Sequence, residues 1–286
     1  MNVKITTLIE NSQGNNKKLI NEHGLSLYIE IDEVKILFDT GKSGDFIKNA
    51  ERLNIDLSKL DYVILSHGHY DHSGGFTKLV ESIGTSFKLI VGEKFFNTKY
   101  KLLEKDRYKY NGNPFEEEFI NINNIPIKYI NEDMFDINKD IMIFSNFERK
   151  NSFEKLNENF FIKQGYEYKI DTFLDEIVLA IKLKGYLFVV LGCSHIGVVN
   201  ILETIIKRTN MPVYGIIGGT HLIEADQLRL NNTINFFKEK KIGILGMSHC
   251  TGENAIREIE QEFKERFLYN NTGSIIKIIW NYNDFL

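Results

Sequence analysis

Three of the seven histidines in the chain lie beside an aspartate in one short run, Ser66–His72, which reads Ser-His-Gly-His-Tyr-Asp-His. Imidazole nitrogens and a carboxylate are natural ligands for zinc, iron or manganese. The alternation of His67 and His69 lets both rings face one ion, and Asp71 and His72 then point toward a neighbouring ion. Surface histidines on a polar loop would rarely have this spacing, so the run predicts a metal site.

The elements around this run place it at the end of a strand. Tyr62–Leu65 is a short apolar segment with the composition of a buried strand, and the histidines follow it directly. The same order of strand, glycine, histidine and helix recurs three times in the last third of the chain. The strands are predicted at Tyr186–Leu191, Val213–Ile217 and Ile242–Leu245, and the histidines that follow them are His195, His221 and His249. Ligands gather at the carboxyl ends of strands in open α/β sheets, so these histidines are expected to converge on one site. The alternative for each is a hydrogen-bonded core or helix-cap histidine.

These residues resemble the metallo-β-lactamase superfamily, whose hallmark is a His-x-His-x-Asp-His run after a buried strand. One branch, the dihydropterin-ribofuranosylaminobenzene phosphate synthase-like proteins, is similar at Glu22–Ser26, Ser66–Gly75, Gly192–His195, Gly218–Leu222 and Ser248–Gly252. The resemblance covers nearly the whole chain and is weakest at residues 94–173. It implies an α/β (α+β) fold of the αββα sandwich type, in which two mixed β-sheets pack face to face with helices on the outer faces.

The resemblance also implies which side chains bind metal. The implied ligands are His67, His69, Asp71, His72, His195, His221 and His249. Typical members carry a bridging aspartate where this chain has Cys193, and two alternatives follow. Either the thiolate of Cys193 ligates a metal there, or His195 supplies the missing ligand.

Three further residues are candidates for roles around the metals. By resemblance, Asp39 orients the histidine loop from behind, and its alternative is a turn-former before Gly41. Asp175 is a further acidic candidate for the second metal, and its alternative is a structural role. His23 lies outside the other motifs. It is either a substrate contact or proton donor in the pocket, or a solvated loop histidine.

Composition restricts the class of protein. The chain has 286 residues, a formal net charge of −4 and two cysteines. This charge argues against a general nucleic-acid binder, and two cysteines cannot form a disulfide framework. No apolar run approaches the roughly 20 residues that a membrane helix needs. A cytoplasmic protein with no membrane segment is expected, built as one domain over residues 1–286 with an elaborated insertion at about 94–173. That insertion is either a lid or substrate pocket, or a solvated excursion.

The predicted activity is hydrolysis by a metal-bound hydroxide. One or two divalent ions, zinc first and iron or manganese as alternatives, would lower the pKa of water from 15.7 toward roughly 7. Asp71 would orient the hydroxide or pass a proton to the leaving group. The expected substrate is a small phosphoester, cyclic phosphodiester or lactone-like ester. The alternatives are a pterin or ribosyl-phosphate biosynthetic enzyme, an iron-based redox or sensor protein, and a catalytically silent binding module.

Overall fold

Strands account for most of the regular structure. The computed structural model describes residues 1–104 and 106–279. Within these residues the strands are β1 (Asn2–Ile9), β2 (Ser26–Ile31), β3 (Val34–Phe38), β4 (Tyr62–Leu65), β5 (Lys88–Gly92), β6 (Lys99–Glu104), β7 (Arg107–Tyr110), β8 (Ile127–Ile130), β9 (Met134–Asp136), β10 (Ile141–Phe144), β11 (Phe160–Gln164), β12 (Glu167–Ile170), β13 (Val178–Leu183), β14 (Tyr186–Leu191), β15 (Val213–Gly219), β16 (Ile244–Ser248), β17 (Phe267–Tyr269) and β18 (Ile275–Ile279). The α-helices are α1 (Asp45–Arg52), α2 (Tyr70–Ser73), α3 (Phe76–Ile83), α4 (Glu117–Ile122), α5 (Val198–Thr209), α6 (Gln227–Glu239) and α7 (Glu253–Phe263).

Two large mixed sheets form the centre of the described part of the chain. One has the strand order β18-β1-β2-β3-β4-β5-β8, and the other has the order β17-β16-β15-β14-β13-β10-β9. In the first sheet, β3, β4, β5 and β8 run parallel to one another. In the second, β14 to β17 run parallel. The carboxyl ends of these parallel strands carry the histidine motifs, as the sequence predicts.

Alternating side chains on each strand separate the core into layers. In β4, Ile64 packs between the two sheets, whereas Val63 and Leu65 pack against the helices that cover the first sheet. In β14, Phe188 packs between the sheets and Leu187 packs toward the helices that cover the second sheet. A strand presents successive residues to opposite faces, so both faces of each sheet are buried. The result is the predicted αββα sandwich.

The segment predicted as one insertion, residues 94–173, is not one continuous excursion. Its middle part supplies β8 to the first sheet and β9 and β10 to the second. The remaining strands form a separate four-stranded sheet of order β12-β11-β6-β7. This cover sheet consists of two hairpins that are distant in sequence and pair through β6 and β11. The sequence predicts strand-like pieces at Ile125–Ile130 and Ile141–Phe144, which coincide with β8 and β10, but it does not show that they pair with the two main sheets.

Two local predictions also differ from the structure. Asp71 and His72 lie in the single helical turn α2 and not in an open loop. The strand predicted at Ile242–Leu245 is instead Ile244–Ser248. Its start is displaced because Ile242 still donates its backbone N–H to the carbonyl of Phe237, at the end of the preceding helix.

Candidate metal centre

Three imidazoles form a first buried cluster at the carboxyl ends of the strands. His67 and His69 follow β4, His195 follows β14, and one side-chain nitrogen of each lies within 4.8 Å of the other two. His67 Nε2 and His69 Nδ1 are 3.0 Å apart. Burial lowers the pKa of all three rings well below the ordinary histidine value, which keeps them neutral. Neutral imidazole is the form that binds a metal.

The donor set and its geometry fit a divalent cation. The hydroxyl of Ser66 is 2.9 Å from His67 Nδ1, which leaves Nε2 to face the other rings. His195 Nε2 is buried and has no hydrogen-bond partner within residues 1–104 and 106–279. Two nitrogens on one tetrahedral zinc lie ~3.3 Å apart, close to the separation seen here. A buried nitrogen without a partner is costly for a fold, and a metal would satisfy it.

A second group of donors lies beside the first. Asp71 Oδ2 is 3.3 Å from His249 Nε2 and 4.0 Å from His72 Nε2. His23 Nε2 lies 3.1 Å from the same carboxylate oxygen, although the His23 side chain is 54% exposed. The structure thus brings His23 to the site through its contact with Asp71, while the side chain lies on a loop and is partly solvated.

Cys193 stands between the two groups. Its sulfur is 3.1 Å from His72 Nε2, and donor atoms of His67, His72 and Cys193 lie within 4.8 Å of one another. Burial raises the pKa of the Cys193 thiol, so a thiolate requires a cation nearby. Of the two alternatives for completing the site, His195 joins His67 and His69, and Cys193 occupies the position between the two groups.

Asp39 lies behind the histidines. Its Oδ2 is 2.6 Å from His72 Nδ1 and accepts the hydroxyl of Ser66 at 2.8 Å. Burial alone would lower the pKa of His72, but the carboxylates of Asp39 and Asp71 raise it to about 9. The geometry supports an orienting role for Asp39 because it fixes His72 Nδ1, so that Nε2 faces Cys193 and His249 and would release its proton when a metal binds.

Asp175 lies outside the cluster of metal donors. Its Oδ2 accepts the backbone N–H of Gly68 at 2.7 Å, and its Oδ1 is 2.8 Å from the ammonium of Lys99. Lys99 is 1% exposed and also binds Asp171 at 2.6 Å. A Cβ at Gly68 would lie 2.4 Å from the carbonyl oxygen of Phe95, so the loop accepts only glycine here. This geometry supports the structural alternative for Asp175, which anchors the His67–His69 loop to β6 of the cover sheet.

His221 belongs to a third group of donors. Side-chain donors of Cys193, His221 and Cys250 lie within 4.8 Å of one another, and all three residues are buried. His221 Nε2 also lies 3.3 Å from a carboxylate oxygen of Glu224. His221 is therefore near the predicted ligands but is not grouped with His67 and His69.

Several residues around the site carry no motif and were missed by the sequence analysis. Phe173 stacks on His195 with ring centroids 4.1 Å apart, and Phe160 stacks on His69 at 5.3 Å. Both phenylalanines come from the region 94–173. Cys250, by contrast, lies beside His249 in the Ser248–Gly252 motif, so the sequence did signal that residue.

Glu176 holds the backbone of the His195 loop. Its two carboxylate oxygens accept the N–H groups of His195 and Ile196 at 2.9 and 3.1 Å. Burial raises the pKa of Glu176 to about 7, although these amide donors act to lower it. The folded state therefore binds a proton on the Glu176 carboxyl more tightly than the unfolded state does. This protonation stabilises the fold at low pH, and that stabilisation is lost as pH rises from about 4.5 to about 7.

The titration of Glu176 leads to a prediction for Glu176→Gln. Glutamine at position 176 does not titrate, so only the wild type loses stability as pH rises across this window. The free energy of unfolding of Glu176→Gln minus that of the wild type should therefore increase, by about 3 kcal/mol at most. Urea unfolding of chelator-treated protein between about pH 5 and about pH 8 measures it. The exposed substitution Glu239→Gln is the control and should show no such trend. A pH-independent difference for Glu176→Gln would contradict the assignment.

The donor groups open on a cavity of about 280 Å³. Its wall includes His23, His69, Asp71, His195 and His249, together with Lys101, Leu103 and Lys109 from the cover sheet. The cover sheet therefore forms part of the entrance to the candidate centre.

The chain is similar to known proteins of one superfamily. Residues 20–140 match the Lactamase_B family, the metallo-beta-lactamase superfamily. A 7,8-dihydropterin-6-methyl-4-(beta-D-ribofuranosyl)-aminobenzene-5'-phosphate synthase from Methanocaldococcus jannaschii is 31% identical, over 96% of this chain and 97% of its own. An uncharacterised protein from the same organism is 32% identical, over 92% of this chain and 96% of its own.

Solved structures give the same result. The structure of Tm1679, a metal-dependent hydrolase of the beta-lactamase superfamily, superposes with a TM-score of 0.83 at 29% identity, covering 96% of this chain and 99% of that one. A diphosphatase from the PhnP family shares the fold, with a TM-score of 0.57 at 13% identity, covering 97% and 98% of the two chains. The chain belongs to the metallo-β-lactamase superfamily, in its dihydropterin-ribofuranosylaminobenzene phosphate synthase-like branch.

Within the described residues, no helix has the length and apolarity needed to span a membrane.

Proposed function

We propose that the chain is a metal-dependent hydrolase of a small phosphoester, cyclic phosphodiester or lactone-like ester. The observation that carries the proposal is the convergence of the His67, His69 and His195 nitrogens beside the Asp71 carboxylate. His67, His69 and His195 would hold one divalent ion. Asp71, His72 and His249 would hold a second, with Cys193 between them. Zinc suits this set of nitrogen, sulfur and carboxylate donors, and iron or manganese are the alternatives.

Ions held there would supply a water of lowered pKa and would polarise a carbonyl or phosphoryl oxygen. Side chains of the protein orient the proton donor, transfer the proton and exclude water. Burial acts to raise the pKa of Asp71, but the neighbouring histidines outweigh it and hold that pKa well below the usual range. Asp71 is therefore ionised, and its Oδ2 orients a proton donor by accepting a hydrogen bond. His23 Nε2, 3.1 Å from that oxygen and on the cavity wall, would carry a proton between the leaving group and solvent. Phe160 and Phe173 exclude water from the back of His69 and His195.

A second candidate activity is a biosynthetic reaction on a pterin or ribosyl phosphate. It is favoured by the 31% identity to the Methanocaldococcus jannaschii synthase over nearly all of both chains. Both candidates need a small-molecule substrate, and both use the same donor groups. We also propose a cytoplasmic location, since both cysteines are free thiols, as expected in a reducing compartment.

Metal analysis joined to a substrate panel tests the proposal. Protein purified without chelators should contain at least one tightly bound zinc, iron or manganese per chain by mass spectrometry. It should hydrolyse at least one member of a panel of chromogenic phosphodiesters, phosphomonoesters and lactones, and lose that activity with a chelator. Bound metal without hydrolysis of any panel member would favour the biosynthetic candidate. Protein without bound metal would contradict both.

A further inference from the structure

Arg229 on α6 is a largely buried cation with unused hydrogen-bond donors among the described residues. The residue is 8% exposed, and its Nε and Nη2 atoms have no hydrogen-bond partner in the part of the chain that the structure describes. Lys99 provides the contrast, since it is 1% exposed and binds two carboxylates. Guanidinium stays protonated at any physiological pH, so a buried one with unused donors lowers the stability of the fold. Such a group calls for a specific explanation, such as a bound ligand.

Arg229 lines a second and larger cavity beside the metal centre. This cavity has a volume of about 610 Å³, within the range of small-molecule sites. His195, His221 and Glu224 line both cavities, so the two spaces adjoin at the candidate metal ligands. Lys155 is an exposed second cation on the wall of the larger cavity.

The carboxylates in the same wall are occupied by other groups. Glu224 lies 3.3 Å from His221 Nε2 and 3.7 Å from Lys101 Nζ, and it accepts the side-chain amide of Asn157. Asp226 caps α6 by accepting the backbone N–H of Arg229 at 2.8 Å. Neither of these two carboxylates therefore forms a recorded ion pair with the guanidinium of Arg229, which lines the cavity.

We propose that Arg229 forms an anion subsite that binds a phosphate group of the substrate, apart from the reacting bond at the metal centre. The planar guanidinium offers paired donors that match two phosphate oxygens, which an ammonium group cannot do. The substrate would extend from the smaller cavity past His195 and His221 into the larger one. This inference rests on the proposed function, because it assigns the substrate class of that site: a small ester that also carries a phosphate.

A structural role for Arg229 makes a different prediction. Glu154 caps the start of α5 by accepting the N–H groups of Val199 and Asn200 at 2.9 and 2.7 Å. Burial raises the pKa of Glu154 to about 7, and the nearby charge of Arg229 acts to lower it. If Arg229 served mainly to stabilise this carboxylate, its removal would lower the melting temperature. If it serves a ligand, removal of an unpaired buried charge would leave the melting temperature unchanged or raise it.

The test is phosphate binding by chelator-treated protein, so that inorganic phosphate cannot bind through a metal. Calorimetric titration and the phosphate-dependent rise in melting temperature are measured for wild type, Arg229→Met, Arg229→Lys and the exposed control Arg257→Met. The affinity of Arg229→Met for phosphate should fall about tenfold or more, while Arg257→Met should match the wild type. Arg229→Lys keeps the charge near Glu154 and so retains any structural role, but it should still bind phosphate several-fold more weakly.

The proposal is overturned if Arg229→Met or Arg229→Lys binds phosphate as tightly as Arg257→Met does. It is also overturned if Arg229→Met fails to fold or melts below the wild type without phosphate, because Arg229 would then support Glu154. No turnover enters this measurement. A missing metal or a missing hydrolase activity would therefore refute the proposed function and leave the phosphate result intact.

Discussion

Replacing His69 by alanine is expected to empty at least one metal position and abolish turnover. His69 Nδ1 faces His67 Nε2 at 3.0 Å inside a buried cluster that also contains His195. Loss of one of three protein ligands leaves a divalent ion with too few donors to hold it against water. His67→Ala should behave in the same way. Metal content by mass spectrometry and activity on the hydrolysed panel member measure both effects.

The control for this experiment is Lys109→Ala. Lys109 lines the same cavity from the cover sheet but provides no metal donor. The variant should keep the metal content of the wild type. Its turnover can still differ from the wild type, because Lys109 lines the cavity where the substrate would bind. Full metal content and full activity in either His67→Ala or His69→Ala would show that the ligand assignment is wrong.

Replacing Lys99 by methionine is expected to cause a large loss of stability. The ammonium lies 2.6 Å from Asp171 and 2.8 Å from Asp175, and all three side chains are 5% exposed or less. Removal of one partner from a buried ionic network leaves the others without compensation, which costs about 3–5 kcal/mol. Urea unfolding of chelator-treated protein should show this decrease in the free energy of unfolding. The metal affinity of the variant should also fall, because Asp175 holds the backbone of the His67–His69 loop.

Lys169→Met is the matched control for that measurement. Lys169 is an exposed lysine of the same cover sheet, 3.9 Å from the carboxylate of Glu167. Its replacement should change the free energy of unfolding by less than about 0.5 kcal/mol. Equal stability of Lys99→Met and Lys169→Met would show that the buried network does not stabilise the fold.

The sequence predicts the fold correctly where a short run of apolar residues indicates a buried strand. Short apolar runs such as Tyr62–Leu65 and Tyr186–Leu191 coincide with β4 and β14 because both faces of these strands are buried. The recurring strand, glycine and histidine order located the edge where the donors meet. The pattern could not show that β8 and β10 belong to the main sheets, because strand pairing depends on contacts between residues far apart in sequence.

The sequence indicates the candidate site residues where several residue types that can bind a metal stand in one motif. His67, His69, Asp71 and His72 stand in one run, and His249 and His195 follow strands. Glu176 and Lys99 are single charged residues without a local signal, and their roles follow from burial and from partners distant in the chain. Arg229 is similar, since an arginine on a helix normally faces solvent. Among residues 1–104 and 106–279, its Nε and Nη2 atoms have no hydrogen-bond partner, and this can be seen only in the folded structure.

The cover sheet described above has an evolutionary consequence. Each of its two hairpins leaves and rejoins the main body at neighbouring points, and the turn of the second hairpin, at Gly165 and Tyr166, is fully exposed. The exposed outer ends of these hairpins, away from Lys99 and Phe160, can be lengthened or shortened with little effect on the two large sheets or on the imidazoles they carry. Related chains therefore can acquire new substrates by changing the outer ends of the hairpins while Lys99 and Phe160 keep their contacts with the metal centre.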